Sequence, residues 1–152
     1  MLTALLLICK PALHLKNGTQ KGVLLRMSFK YGKVLIIDDT DLDRMIAEKL
    51  MQKCSFAQQV TSFGSAQAGL EYLSTLKGSD VPELIFLDVH MPGMTGFEFL
   101  EQHGTLPEGI KRRNIIVLTS SLQPNDRQKA LSDPYVLKFI TKPLNLATLE
   151  NL

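Results

Sequence analysis

The stretch VLIIDDTDLD, residues 34–43, opens with four apolar residues and then places four acids within six positions: Asp38, Asp39, Asp41 and Asp43. An unbroken apolar run with three β-branched members reads as a strand buried on both faces, the kind found in parallel sheets. Two carboxylates ~4 Å apart repel by about 4 kcal/mol at an effective dielectric near 20. A chain that sets Asp38 and Asp39 side by side at the mouth of a sheet therefore needs something positive there.

Outward from this stretch, short apolar runs alternate with segments of helical period. Thr40 or Asp41 caps a helix whose apolar positions, Leu42, Met45, Ile46, Leu50 and Cys54, fall on one helical face, the face expected to pack on the sheet. Residues 57–61 read as a weaker strand, and Ser65 caps a second helix that buries Ala68, Leu70, Leu73 and Leu76. LIFL (84–87) is a third strand, and MPGMTG (91–96) interrupts regular structure before a helix through Phe97, Phe99 and Leu100. Residues 115–118 give a fourth strand, Pro124 or Asn125 opens a short helix, and residues 136–140 give a fifth strand. A helix of about two turns closes the chain after Leu144. Strands that alternate with helices predict an α/β fold, a doubly wound parallel sheet with helices on both faces.

Length and composition fit one domain with a proper core: 152 residues, 45% apolar and 21% charged. The net charge of +2 comes from the first 26 residues, which carry Lys10, Lys16, Lys21, Arg26 and no acid. Thirteen basic against fifteen acidic residues remain in 27–152, so the body offers no basic footprint for nucleic acid. Lys111-Arg112-Arg113 falls short of a basic patch. Cys9 and Cys54 have no metal-ligand spacing, and a reduced, cytoplasmic chain is expected. The apolar run at residues 2–9 is too short to span a membrane, which takes about 20 residues. No basic residue precedes it, against a signal peptide. Residues 1–30 are expected to be an N-terminal extension, with Met27 an alternative start, and 31–152 the domain.

In doubly wound sheets the active crevice lies at the carboxyl ends of the strands. There stand Asp38 and Asp39 after the first strand, Asp88 after the third, Thr119 after the fourth and Lys142 after the fifth; the second offers Ser62. Hard oxygen ligands suit Mg²⁺, which turns the repulsion among three acids into ligation. An ammonium and a hydroxyl beside such a site suit a phosphoryl group. The chain has no P-loop and no GxGxxG to bind a nucleotide, so the phosphoryl group arrives on a small donor or a partner protein and a carboxylate accepts it.

IIDD (36–39), LIFLDVHMPGMTG (84–96), VLTSS (117–121) and FITKP (139–143) together resemble the signatures of two-component response-regulator receiver domains, from residue 34 to the C-terminus. The resemblance implies a flavodoxin-like fold with strand order 2-1-3-4-5. It implies a signalling switch, not an enzyme in the usual sense, in which Asp88 is phosphorylated by a histidine kinase or phosphotransfer protein. Asp39, Asp88 and the backbone carbonyl of His90 would ligate Mg²⁺, with Asp38 acting mainly through water. Lys142 would pair with Asp88 or the phosphoryl group, Thr119 would turn its hydroxyl onto it, and Phe139 would be the aromatic switch. The Lys142–Pro143 bond would be cis. His90 and Ser121, two residues beyond Asp88 and Thr119, would tune the phosphoryl lifetime. The chain ends ten residues after Lys142, which suggests a receiver that acts alone through partner binding, with no membrane or nucleic-acid target.

Phosphorylation adds about −1.5 to −2 of charge and three acceptor oxygens. Moving a two-state element from 1:99 to 99:1 takes about 5.5 kcal/mol. Two or three charge-assisted hydrogen bonds at ~1.5–3 kcal/mol each are of that size.

Singly, each residue has a plainer use. Asp38 and Asp39 suit a helix N-terminus, Asp88 a turn, and Thr119, Lys142 and His90 a solvated surface. A calcium loop on Asp39, Asp41 and Asp43 fails, because Arg44 and Leu50 stand where Gly and Glu belong. The rival is a Mg²⁺-dependent haloacid-dehalogenase-like phosphatase, with Asp39-Thr40-Asp41 as its DxD motif.

Overall fold

The computed structural model describes residues 28–112, 114–120 and 123–152. The expected extension lies almost wholly outside them, as do Cys9, Arg113 and Ser121. Five strands, β1 (Tyr31–Ile37), β2 (Ala57–Phe63), β3 (Leu84–Asp88), β4 (Ile115–Thr119) and β5 (Val136–Thr141), alternate with five helices. These are α1 (Asp41–Lys53), α2 (Ala66–Thr75), α3 (Gly96–His103), α4 (Pro124–Ser132) and α5 (Leu146–Glu150). A 3₁₀ turn, Gly78–Asp80, sits in the loop before β3.

The sheet runs β2-β1-β3-β4-β5, with every pairing parallel. This is the expected doubly wound order. Alternate residues of each strand feed two cores, because successive side chains point to opposite faces. Leu35, Ile37, Ile85, Leu87, Ile115 and Val117 meet α2, α3 and α4 on one face. Val34, Ile36, Leu84, Phe86, Ile116 and Leu118 meet α1 and α5 on the other.

Strand β1 begins three residues before the apolar run, at Tyr31, and β2 runs on to Phe63, two residues past the expected 57–61. Helix starts follow the sequence. Ser65 accepts from the Ala68 N–H, and Thr95 and Glu98 form a reciprocal cap on α3. Pro124 opens α4, where its missing N–H costs nothing. In α2, Leu70 and Leu73 are buried as expected; Ala66 and Gly69 join them, while Ala68 and Leu76 are half-buried.

The face of α1 differs from expectation. Leu42, Met45 and Ile46 are 56%, 49% and 40% exposed, whereas Ala47 and Met51 are buried, with Leu50 and Cys54 packed against the same core. The stripe that packs runs 47, 50, 51, 54, one helical face. At its N-terminal end, four residues before Ala47, stands a carboxylate, Asp43, and hydrophobicity alone therefore selected the neighbouring stripe.

Candidate functional site

The sheet order reverses between β2-β1 and β3-β4-β5, so the crevice opens where β1 and β3 end. Asp38 follows β1 and is 1% exposed; Asp88 ends β3 at 5%; Asp39 is exposed at the mouth. One carboxylate oxygen from each of these three lies within 4.8 Å of the others. Of the residues expected at the crevice, Asp38, Asp39, Asp88 and Lys142 are thus brought together.

Lys142 sits at the centre. Its Nζ lies 2.6 Å from Asp38 Oδ2, 2.7 Å from Asp88 Oδ2 and 2.9 Å from Asp43 Oδ2. The other oxygens of the two buried acids are fixed by backbone. Asp38 Oδ1 accepts from the Thr40 N–H at 2.9 Å, and Asp88 Oδ1 accepts from the His90 N–H at 3.0 Å. Burial pushes the Asp38 carboxyl above the usual carboxylate range, against the lowering pull of Lys142 and Thr40. Burial alone would depress the Lys142 ammonium. Its hydrogen bonds to Asp38, Asp88 and Asp43 overcome that and hold it above the ordinary lysine value.

Local sequence explains the placement. Lys142 donates its backbone N–H to the Thr119 carbonyl at 2.8 Å, which ties the end of β5 to the end of β4, and the Lys142–Pro143 bond is cis. Thr119, paired in register with Thr141, is fully buried. Gly93 has φ +77°, a left-handed conformation that suits glycine. At Gly96 a Cβ would stand 2.4 Å from the Asp88 carbonyl oxygen and 2.6 Å from Val89 Cα, so only glycine lets α3 start against the end of β3. Arg44 donates to the Asp38 carbonyl at 2.6 Å and pairs with Asp41.

Three expected side chains stand slightly apart. His90 is exposed and its Nε2 lies 3.4 Å from Asp126 Oδ2, on α4. Phe139 is half-buried on β5, in register with Val117, and packs on the core beneath α2, α3 and α4. Ser62 turns away from the crevice and donates to Glu48 of α1 at 2.6 Å. Asp43 is the member that sequence reasoning left without a role. Its four-residue spacing from Ala47 carried the signal, since it sets Asp43 on the face of α1 that packs.

The donor set suits a hard divalent cation: three carboxylate oxygens in reach of one another, one of them on an exposed residue that water-bound Mg²⁺ could meet.

The family model of the response regulator receiver domain matches residues 34–152. The two-component response regulator ARR17 of Arabidopsis thaliana is 32% identical over 127 residues, covering 78% of this chain and 80% of that protein. A two-component response regulator from Cytophaga hutchinsonii superposes with TM-score 0.74 at 28% identity, over 80% of this chain and 93% of its own. A response regulator receiver protein from Dyadobacter fermentans DSM 18053 gives 0.70 at 32%, over 82% and 94%. Other relatives are longer: the chain spans 56% of ARR9 of Arabidopsis thaliana and 13% of ORR26 of Oryza sativa subsp. japonica. The receiver domain of sensor histidine kinase PA1611 from Pseudomonas aeruginosa PAO1, 18% identical with TM-score 0.66 over 79% of this chain and 92% of its own, holds a magnesium ion in its active site cleft.

Proposed function

The chain belongs to the response regulator receiver domain family, whose members carry phosphorylation-dependent two-component signals, and from that premise we propose that Asp88 is the residue phosphorylated here. The observation that carries this reading is the seat of Lys142 Nζ, 2.7 Å from the Asp88 carboxylate and beside two further acids at the carboxyl ends of the strands. Receiver domains work with histidine kinases or phosphotransfer proteins, and such a protein is the proposed donor.

Asp39, Asp88 and the His90 carbonyl are the proposed magnesium ligands, with Asp38 acting mainly through water. When bound, the cation neutralises charge on the transferring phosphoryl group. A carboxylate oxygen of Asp88 attacks phosphorus, and the bond to the donor's leaving group breaks with its electron pair. Lys142 follows the new negative charge, since its ammonium already lies on Asp88. Thr119 then donates its hydroxyl to a phosphoryl oxygen, and Phe139 moves inward. The Thr119 contact and the inward Phe139 belong to the phosphorylated state and not to the bare carboxylate, the differential that a switch requires. Output is by binding a partner protein. No helix among the described residues is long and apolar enough to cross a membrane.

The phosphatase alternative finds no support in the family assignment. Its second acid, Asp41, has a side chain 93% exposed and pairs with Arg44, outside the trio of Asp38, Asp39 and Asp88.

The test is phosphoryl uptake from acetyl phosphate with Mg²⁺. Wild type is expected to take up one phosphoryl group per chain without steady turnover of phosphate esters. Asp88→Asn is expected to abolish uptake. Undiminished labelling of Asp88→Asn, or sustained ester hydrolysis that depends on Asp39 and ignores Asp88, contradicts the proposal.

A further inference from the structure

Lys142 has more partners than the proposed phosphoryl uptake uses. An ammonium has three N–H donors, and three carboxylates surround this one. Asp38 and Asp88 come from strand ends; Asp43 comes from the first turn of α1, 99 residues away in sequence. The Asp43 side chain is 39% exposed and has water available, yet it turns inward to Nζ. It does not belong to the trio of acids whose oxygens lie within 4.8 Å of one another. Its link to the pocket therefore runs through the lysine.

Both oxygens of Asp38 are engaged, Oδ1 by the Thr40 N–H and Oδ2 by Lys142. A cation drawn to these acids meets the Lys142 ammonium on Asp38 Oδ2, and the two positive charges repel, so one contact of Asp38 is loosened. The Thr40 bond spans two residues of fixed backbone, so the side chain of Lys142 is the partner able to move. We propose that Asp43 is a positioning residue, a second berth that keeps the Lys142 ammonium beside Asp88 while Asp38 releases it. The inference rests on the phosphoacceptor reading above. The face that α1 turns to the sheet, through Ala47 and Met51, is the one that places Asp43 against Lys142.

Without Asp43, Lys142 keeps its hold on Asp38 and the cation must displace it. Asp43→Asn is expected to weaken Mg²⁺ binding, read by isothermal titration calorimetry, about tenfold, the size of one charge-assisted hydrogen bond. Acetyl phosphate uptake at sub-saturating Mg²⁺ should slow in proportion. The deciding measurement is a double-mutant cycle with Lys142→Met. If Asp43 acts through the lysine, Asp43→Asn changes Mg²⁺ affinity less than about threefold in the Met background, where only its field at the cation remains. An equal loss in both backgrounds, or none in wild type, overturns the proposal and leaves the phosphoacceptor reading standing. Failure of wild type to bind Mg²⁺ or take up phosphoryl overturns both. Asp43→Ser, also suited to a first turn, serves as a second variant. If neither variant folds by far-ultraviolet circular dichroism, Asp43 is structural and the proposal falls.

Discussion

At the scale of single residues, His103 and the acids of the crevice show opposite uses of burial. His103 is fully buried at the end of α3, stacked on Phe99 at 5.9 Å and edge-on to Tyr135 at 5.1 Å. Neither ring nitrogen has a hydrogen-bond partner among the described residues. Burial, aided by the charge of Lys111, pushes its pKa down from 6.5 to about 4. The unfolded chain therefore takes a proton near pH 6.5 that the folded chain resists until about pH 4. The stabilisation is complete above pH 6.5 and is lost as pH falls through that window, by about 2 kcal/mol between pH 7 and 4.5. Urea unfolding at the two pH values should show that loss in wild type and not in His103→Leu; parallel losses contradict it. Nothing in the sequence marked His103, because a lone histidine reads the same on a surface as in a core. Asp38 and Asp88 were legible because each stands directly after an apolar run, where the strand end itself fixes its position, and Asp39 because it follows Asp38.

Elements carry these residues to one place, and the join of β3 to α3 brings backbone close to backbone at Gly96. Gly96 donates its N–H to the Val89 carbonyl at 3.1 Å, and the backbone atoms crowding its missing Cβ have no rotamer to yield. Gly96→Ala should therefore lift the start of α3 off the end of β3 and disturb the loop that holds Asp88. A loss of about 2 kcal/mol in unfolding free energy, with weaker Mg²⁺ binding, is expected from denaturant titration and calorimetry. Wild-type values in both contradict the account. The MPGMTG break was readable from its glycines and proline, but the face of α1 was not. Residues 42 to 54 offer two overlapping apolar stripes, and the one that packs, through Ala47 and Met51, also sets Asp43 against Lys142, 99 residues away in sequence. Local periodicity carries no information about such a contact.

For the molecule as a whole, five short apolar runs pointed to a doubly wound parallel sheet, because right-handed crossovers leave few arrangements; the strand order itself came from the resemblance to receiver domains. The roles of Thr119, Phe139 and His90 were not legible in that way, since they concern a change of state and one sequence describes no second state. The gathered acids also predict a cost: before a cation binds, like charges strain the folded form. Mg²⁺ should raise stability by mass action, by about 2.7 kcal/mol at a hundred times its dissociation constant. Thermal unfolding with and without Mg²⁺ reads this directly. Asp39→Asn should lose that gain, and without Mg²⁺ it should be more stable than wild type by about 1 kcal/mol. An Asn variant that keeps the full response to Mg²⁺ removes Asp39 from the site. The central claim, that the carboxylate of Asp88 takes a phosphoryl group in a Mg²⁺-dependent step, is tested most directly by mapping the label: acetyl phosphate with Mg²⁺, borohydride trapping of the acyl phosphate, and peptide mass spectrometry. The account predicts a single trapped site at Asp88 that disappears when Mg²⁺ is chelated; a trapped site at any other residue, or labelling indifferent to chelation, contradicts it.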